Sequence, residues 1–221
     1  MQLKSLKNKV YFIAEIGSNH EGNFFDAKKT LKDCLKSKAD CAKIQIYTAD
    51  NIVSKKFSAE RFKHFSKLKL EIDQYLELAY IANKSDKDFS ASIWDVKLIS
   101  LFSKYLKFFK IGSGDLTNFE IIEEIIRTGK PIVVSTGLSS IKEIGNTISF
   151  IEKNNKKYKK KDMITLLHCN TAYPTPAENS NLGSILNLKK RFKRTSGYSD
   201  HTIGNFVTIL AYLNGAQVIE K

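Results

Sequence analysis

The stretch that decides the fold is FFKIGSGDLTNFEIIEEIIRTGKPIVVSTG, residues 108–137. Its two short apolar runs, Phe108–Ile111 and Ile132–Val134, each lead into a cluster of glycine and hydroxyl-bearing residues. Between them, Phe119–Thr128 carries apolar residues at helical spacing, and Gly129-Lys130-Pro131 ends the helix. A strand, a helix and a second strand in this order predict two parallel strands. The polar clusters that follow the strands would then lie at the same end of the sheet.

The same alternation recurs along the whole chain and predicts an α/β protein with a (β/α)8 barrel. Seven helices are expected, at Phe24–Ser37, Glu71–Lys84, Val96–Tyr105, Phe119–Thr128, Ser140–Lys153, Leu182–Phe192 and Asn205–Asn214. Residues 48–70 lack a clear period and are expected to be a loop or hairpin over the barrel mouth. Eight strands are expected, at Val10–Ile16, Cys41–Tyr47, Phe89–Ile93, Phe108–Ile111, Ile132–Ser135, Met163–His168, Ser196–Ser199 and Gln217–Glu220.

Length and composition are those of one barrel domain, residues 1–221. With 221 residues and 42% hydrophobic residues the chain can bury one core, and barrels of this type have about 250 residues. The sequence ends after strand eight, so we expect the eighth helix to be missing. No apolar run approaches the roughly 18 residues of a membrane span. Cysteines without metal-ligand spacing and a start, MQLKSLKNKV, without a signal region favour a cytoplasmic location.

The net charge of +13 raises the question of a nucleic-acid partner. Only four of the 36 basic residues are arginine, whose fork of donors recognises bases and phosphates, so we expect no nucleic acid to bind. The densest basic run, residues 153–161, lies between a helix and a strand. It is expected to be a solvated loop at the bottom of the barrel, with contact to an acidic partner as the alternative.

Six ordered motifs at the strand ends resemble those of the bacterial sialic acid synthases. They are AEIGSNHEG at 14–22, KIQ at 43–45, KIGSGDLTN at 110–118, GKPIVVSTG at 129–137, LLHCNTAYPTP at 166–176 and GYSDHTIG at 197–204. The resemblance implies a transferase that condenses phosphoenolpyruvate with an N-acetylated hexosamine, such as N-acetylmannosamine. The products would be a nonulosonic (sialic-type) acid and phosphate.

The resemblance also implies which residues bind the anionic substrate. Lys43 and Lys110 would bind carboxylate and phosphate, helped by Thr171. Helix capping is the alternative role for any one of the serines. Asp115 stands where the family usually has a glutamate that handles a proton, and it is assigned to catalysis together with Glu15 and Lys43. The serine hydroxyls expected at the anion site are Ser92, Ser113, Ser135 and Ser199.

Glu15 and Tyr173 match positions that contact the sugar in the family. Each has a structural alternative, because Glu15 could pair with Lys43 inside the barrel and Tyr173 could pack beside Pro174. His201 matches the first of two histidine ligands of a divalent ion, Mn²⁺ in the family. The second ligand follows the sequence Val-Ile-Glu-Lys directly, and this chain ends on those four residues.

The family also has a small C-terminal antifreeze-like domain that completes the site of a homodimer, and no such domain is present in these 221 residues. We therefore expect the full-length protein to be a homodimeric synthase and this chain alone to be inactive. Two alternatives stay open at this point. The chain could be an inactive barrel that serves as a binding or interaction module. It could instead belong to a related phosphoenolpyruvate-condensing sugar acid synthase, although its arginines lie away from the strand ends.

Overall fold

The computed structural model describes residues 9–221; the first eight residues, on which the absence of a signal region partly rests, lie outside the described residues. Eight strands follow one another in the order β1 to β8 and form a closed barrel. Pairing is parallel between β2, β3 and β4 and from β5 through β8 to β1. The predicted barrel is therefore confirmed. The strands are β1 Tyr11–Gly17, β2 Cys41–Ile46, β3 Asp88–Ile93, β4 Phe108–Ile111, β5 Ile132–Ser135, β6 Ile164–Cys169, β7 Thr195–Ser199 and β8 Val218–Glu220.

The α-helices agree with the predicted ones to within a few residues at each end, apart from the first two between β2 and β3. Short 3₁₀ turns at Ser113–Asp115, Lys156–Lys159 and Ala177–Asn179 follow β4, the helix after β5, and β6. The α-helices are α1 Phe24–Lys36, α2 Ala49–Ile52, α3 Ala59–Leu68, α4 Ile72–Asn83, α5 Val96–Ser103, α6 Phe119–Arg127, α7 Ile141–Asn154, α8 Gly183–Phe192 and α9 Phe206–Leu213.

The connection 48–70 was predicted wrongly as a loop or hairpin, because it contains the helices α2 and α3. Helix α3 buries none of its residues, although Phe62, Phe65 and Leu68 follow one another at a spacing of three. Four residues of α3 are half-buried, namely Phe62, Phe65, Ser66 and Leu68, and the first three have the spacing of one helix face. A helix held by such a narrow contact is hard to recognise from periodicity alone.

Helix α6 shows why residues 108–137 form the unit that their pattern predicts. Four isoleucines from Ile121 to Ile126 form one buried face, and the Asn118 side chain accepts a hydrogen bond from the Ile121 amide at the amino end. At the other end the helix stops at Arg127, and Gly129 follows with φ +66°, a conformation that favours glycine. These local signals place β4 and β5 on either side of the helix.

The described chain divides into two compact units, Ala14–Phe109 and a second one made of Lys110–Lys221 with the segment that ends at Ile13. In the first unit β2 pairs with β3 from Cys41 opposite Asp88 to Ile46 opposite Ile93. In the second, β7 pairs with both β6 and β8, and β8 pairs with the start of β1. Each unit is therefore built on its own parallel strands.

The lysine-rich run after α7 is largely exposed, as predicted, but it has an ordered anchor. The Tyr158 side chain is buried, and its hydroxyl donates to the Lys130 carbonyl at 2.5 Å. Arg194 is also buried, pairs with Glu152 and donates to the Lys160 carbonyl at 2.6 Å. None of the helices within residues 9–221 has the length and apolar character needed to cross a membrane.

Candidate active site

In the unit Ala14–Phe109, the predicted residues Lys43 and Glu15 form an ion pair. Lys43 is buried, and Glu15 also accepts a hydrogen bond from the Gly17 amide at 2.7 Å. The pairing that the sequence offered as the alternative role of Glu15 is thus present. Ser92 is buried on β3. Its register partner on β2 is Gln45, which lies on the same face of β2 as Lys43.

In the unit Lys110–Lys221, the side chain of Lys110 is buried and lies among three acceptors. Its ammonium nitrogen Nζ donates to Ser135 Oγ at 2.7 Å and to the Ile111 carbonyl at 3.2 Å. The third group is the carboxylate of Glu220, with Oε2 3.5 Å from Nζ. The structure therefore brings together Lys110 and Ser135, two of the residues predicted to bind an anion.

Glu220 is a residue of this cluster that the sequence analysis missed. Its carboxylate accepts a hydrogen bond from Ser199 Oγ at 2.6 Å, and the two residues are register partners on β8 and β7. The signal was present, because Glu220 and Val218 alternate with Ile219, and Ile219 packs into the apolar core.

Ser113 and Thr171 meet at Gly137. The Gly137 amide donates to Ser113 Oγ at 3.1 Å, and a Cβ atom at Gly137 would lie 2.9 Å from both Ser113 Oγ and Thr171 Cγ2. Glycine is therefore needed for this close approach. Asp115 closes the 3₁₀ turn that Ser113 begins and is half-buried, and its Oδ2 would lie 3.1 Å from a Cβ atom at Gly112.

Tyr173 and His201 form a stacked pair, with ring centroids 3.9 Å apart and planes inclined by 29°. The Tyr173 side chain is exposed. His201 Nδ1 lies 2.7 Å from the Asn170 carbonyl, a geometry that assigns the proton to Nδ1 and leaves Nε2 as an acceptor. Burial lowers the pKa of His201, which favours the neutral imidazole that could bind a metal ion.

The described residues do not complete a metal site around His201. No group of three or more histidine, cysteine or acidic side chains within residues 9–221 is arranged to hold an ion. The Cys169 thiol lies beside this histidine, with its Sγ 3.9 Å from His201 Nδ1. The assignment of His201 as a ligand therefore stays a prediction.

The loop that carries His201 is held on both sides of the histidine. Asp200 accepts hydrogen bonds from the Thr202 amide at 2.9 Å, from the Thr208 hydroxyl at 2.5 Å and from Lys221 Nζ at 2.9 Å. Lys221 also donates to the Thr202 carbonyl at 2.8 Å. Burial alone would raise the pKa of Asp200, but these hydrogen bonds outweigh it and the pKa is lowered.

His168 and His20 each have a hydrogen-bond partner in the backbone. His168 Nε2 lies 2.8 Å from the Ser180 carbonyl, and its ring stacks on buried Tyr198. Burial lowers the pKa of His168, although the contact with Ser180 opposes the shift. His20 Nδ1 accepts a hydrogen bond from the Gly22 amide at 3.1 Å.

A parallel barrel with a buried lysine among hydroxyls at its strand ends defines a class of proteins that can bind an anionic substrate. The model of the NeuB family matches residues 30–221, and the chain belongs to this family.

Relatives support the same assignment. The chain is 39% identical over 212 residues to an uncharacterized protein of Methanocaldococcus jannaschii, covering 96% of this chain and 61% of that protein. It is 35% identical to the N,N'-diacetyllegionaminic acid synthase of Campylobacter jejuni, covering 96% of this chain and 67% of the synthase. The chain thus spans about two thirds or less of these relatives.

A solved structure of an N-acetylneuraminic acid synthetase from Leptospira borgpetersenii, in complex with citrate, has the same fold. The TM-score is 0.88 at 29% sequence identity, and the match covers 97% of this chain and 73% of the synthetase. The fold and the family are therefore supported by independent comparisons, whereas the roles of the individual site residues remain predictions.

Proposed function

We propose that the protein containing this chain condenses phosphoenolpyruvate with an N-acetylated hexosamine to give a nonulosonic acid and phosphate. Membership of the NeuB family and the names of the synthase relatives support this reaction type. The observation that carries the proposal is the Lys110 cluster. A buried ammonium group hydrogen-bonded to the hydroxyl of Ser135 is suited to a substrate with several negative charges.

The reaction makes a carbon–carbon bond and releases phosphate. Carbon 3 of phosphoenolpyruvate attacks the aldehyde carbon of the open-chain sugar, and water adds at carbon 2. The resulting tetrahedral intermediate then loses phosphate. Lys110 and the hydroxyls of Ser113, Ser135 and Ser199 would stabilise the phosphate charge, and the Thr171 hydroxyl is a further donor. Asp115 would accept a proton from the attacking water.

For the remaining predicted residues we propose the roles that the resemblance implies. Lys43 and Ser92 would contribute to binding of the anionic substrate, and Glu15 would contact the sugar. The exposed ring of Tyr173, supported by His201, offers both an apolar face and a hydroxyl to a sugar. A divalent ion such as Mn²⁺, when bound, would polarise the aldehyde. A homodimer and a cytoplasmic location belong to the same proposal.

The test uses the full-length protein with phosphoenolpyruvate, N-acetylmannosamine and Mn²⁺. Release of phosphate and formation of a nine-carbon acid would be followed together, the acid by mass spectrometry. We expect Lys43→Ala and Lys110→Met to abolish turnover, and Lys97→Ala, an exposed lysine on α5, to leave it unchanged. Phosphate release without a nine-carbon acid, or full activity in Lys43→Ala, would contradict the proposal. Other acetamido sugars in the same assay would identify the preferred hexosamine.

A further inference from the structure

The ammonium group of Lys110 already has an acceptor for each of its three N–H donors. Two of these acceptors, Ser135 Oγ at 2.7 Å and the Ile111 carbonyl at 3.2 Å, are within ordinary hydrogen-bond range. Glu220 Oε2 at 3.5 Å is the longest contact and the only one of the three with a formal negative charge. An anion that binds Lys110 must therefore take the place of one of these groups.

Glu220 is the group best suited to give way. Ser135 and Ile111 lie at the ends of β5 and β4, and the Ile111 carbonyl belongs to the backbone next to Lys110 itself. The contact with Glu220 is a Coulombic one beyond the usual length of a charge-assisted hydrogen bond. It nevertheless matters in the ligand-free protein, because a buried ammonium group without a nearby negative charge is strongly disfavoured.

Glu220 also controls a second donor. Ser199 Oγ directs its proton to Glu220 Oε2 at 2.6 Å, so the Ser199 hydroxyl cannot donate to an anion while this bond is present. Both Glu220 and Ser199 are buried, and screening of charges by water is weak there. The carboxylate therefore opposes any anion that approaches Lys110 and at the same time withholds one of its donors.

We propose that Glu220 is a built-in counterion that occupies the anion position of Lys110 and is displaced from it when substrate binds. The inference rests on the proposed function only in taking a phosphate-bearing anion as the ligand of Lys110. Glu220 is a positioning residue in this scheme. It keeps Lys110 charged and aligned between turnovers, weakens the binding of phosphate, and returns to Lys110 and Ser199 when the product phosphate leaves.

The proposal predicts that removing the charge of Glu220 increases the affinity for phosphate, whereas a merely structural role predicts an equal or lower affinity. Glu220→Gln keeps the size of the side chain and its hydrogen bond with Ser199 but removes the charge. Two unit charges about 5 Å apart in a poorly screened site interact strongly enough that we expect phosphate and phosphoenolpyruvate to bind at least about tenfold more tightly. If Glu220 only supports the fold, the same change should leave binding equal or weaken it.

The experiment is a calorimetric titration of the full-length protein with inorganic phosphate and then with phosphoenolpyruvate. Glu123→Gln, on the partly exposed face of α6, changes the net charge equally and should not alter the affinity. In turnover assays Glu220→Gln should show a lower kcat and stronger inhibition by added phosphate. The proposal would be overturned if Glu220→Gln bound phosphate as tightly as the wild type or more weakly. It would also be overturned if neither protein bound phosphate or phosphoenolpyruvate.

Two further variants keep the result interpretable. If Glu220→Gln does not fold, Glu220→Asp can replace it, because the shorter side chain retains the charge but holds it further from Lys110. A smaller gain in phosphate affinity is then expected. Weaker phosphate binding by Glu220→Asp than by the wild type would contradict the role of Glu220 as a counterion. Lys110→Met should abolish phosphate binding with either residue at position 220. Normal binding by Lys110→Met would contradict the proposed anion site itself, which separates that failure from a failure of the Glu220 inference.

Discussion

Replacing Gly197 with alanine should separate β7 from β8 and destabilise the protein strongly. A Cβ atom at position 197 would lie 1.9 Å from the Val218 carbonyl oxygen and 2.8 Å from Leu167 Cδ2. The oxygen would have to move until the distance is at least 3.0 Å, and because it belongs to the backbone of the paired strand, it cannot move without disturbing the ladder.

The expected loss follows from two costs. Overpacking in a well-packed core costs about 1–3 kcal/mol, and a buried backbone group that loses its hydrogen bond adds about 1–3 kcal/mol. We therefore expect Gly197→Ala to lower the free energy of unfolding by about 3 kcal/mol or more, a large part of the roughly 5–15 kcal/mol of a typical domain. The shift should also disturb the hydrogen bond from Ser199 to Glu220, two residues further along the same pair of strands.

The assay is urea-induced unfolding followed by circular dichroism, with the midpoint and slope fitted for each variant. Gly183→Ala is the matched control, because a Cβ atom at Gly183, the first residue of α8, would meet nothing within 4 Å. It should lie within about 0.5 kcal/mol of the wild type. A Gly197→Ala protein as stable as this control would show that the close approach of β7 and β8 does not constrain position 197.

Three further predictions concern stability and metal binding. Arg194→Met should cost about 3 kcal/mol in the same unfolding assay, because it leaves Glu152 without its buried partner and removes the hydrogen bonds to the lysine-rich loop. The buried neutral His168 should make the protein less stable in acid: its pKa is lowered in the folded state, so as the pH falls below about 6.5 the unfolded chain takes up the proton first. His168→Gln should reduce this loss between pH 7 and pH 5, and an unchanged pH profile would contradict the assignment. The 221-residue chain should bind Mn²⁺ poorly, since its described residues offer a single imidazole at His201 and no cluster of ligands; calorimetry showing equally tight binding by this chain and by an extended one that adds a second histidine would contradict that reasoning.

The sequence by itself determined the order and type of most elements, because the signals are local. Apolar spacing along α6, the Asn118 side chain at its start and Gly129 after its end identify that helix without any knowledge of its neighbours. The alternation of strands and helices along the chain likewise predicted the closed parallel barrel, and the ordered motifs indicated the family. Helix α3 was not predicted, and it buries none of its residues.

Only the tertiary structure decided which charged groups meet. The pairing of Lys43 with Glu15 was one of two roles that the sequence left open, and the carboxylate beside Lys110 went unrecognised. The stack of Tyr173 on His201 likewise joins two loops that no local pattern connects. The physical reason is the same in each case: a side chain's face follows from its own strand or loop, but its partners depend on strand register and on segments distant in sequence.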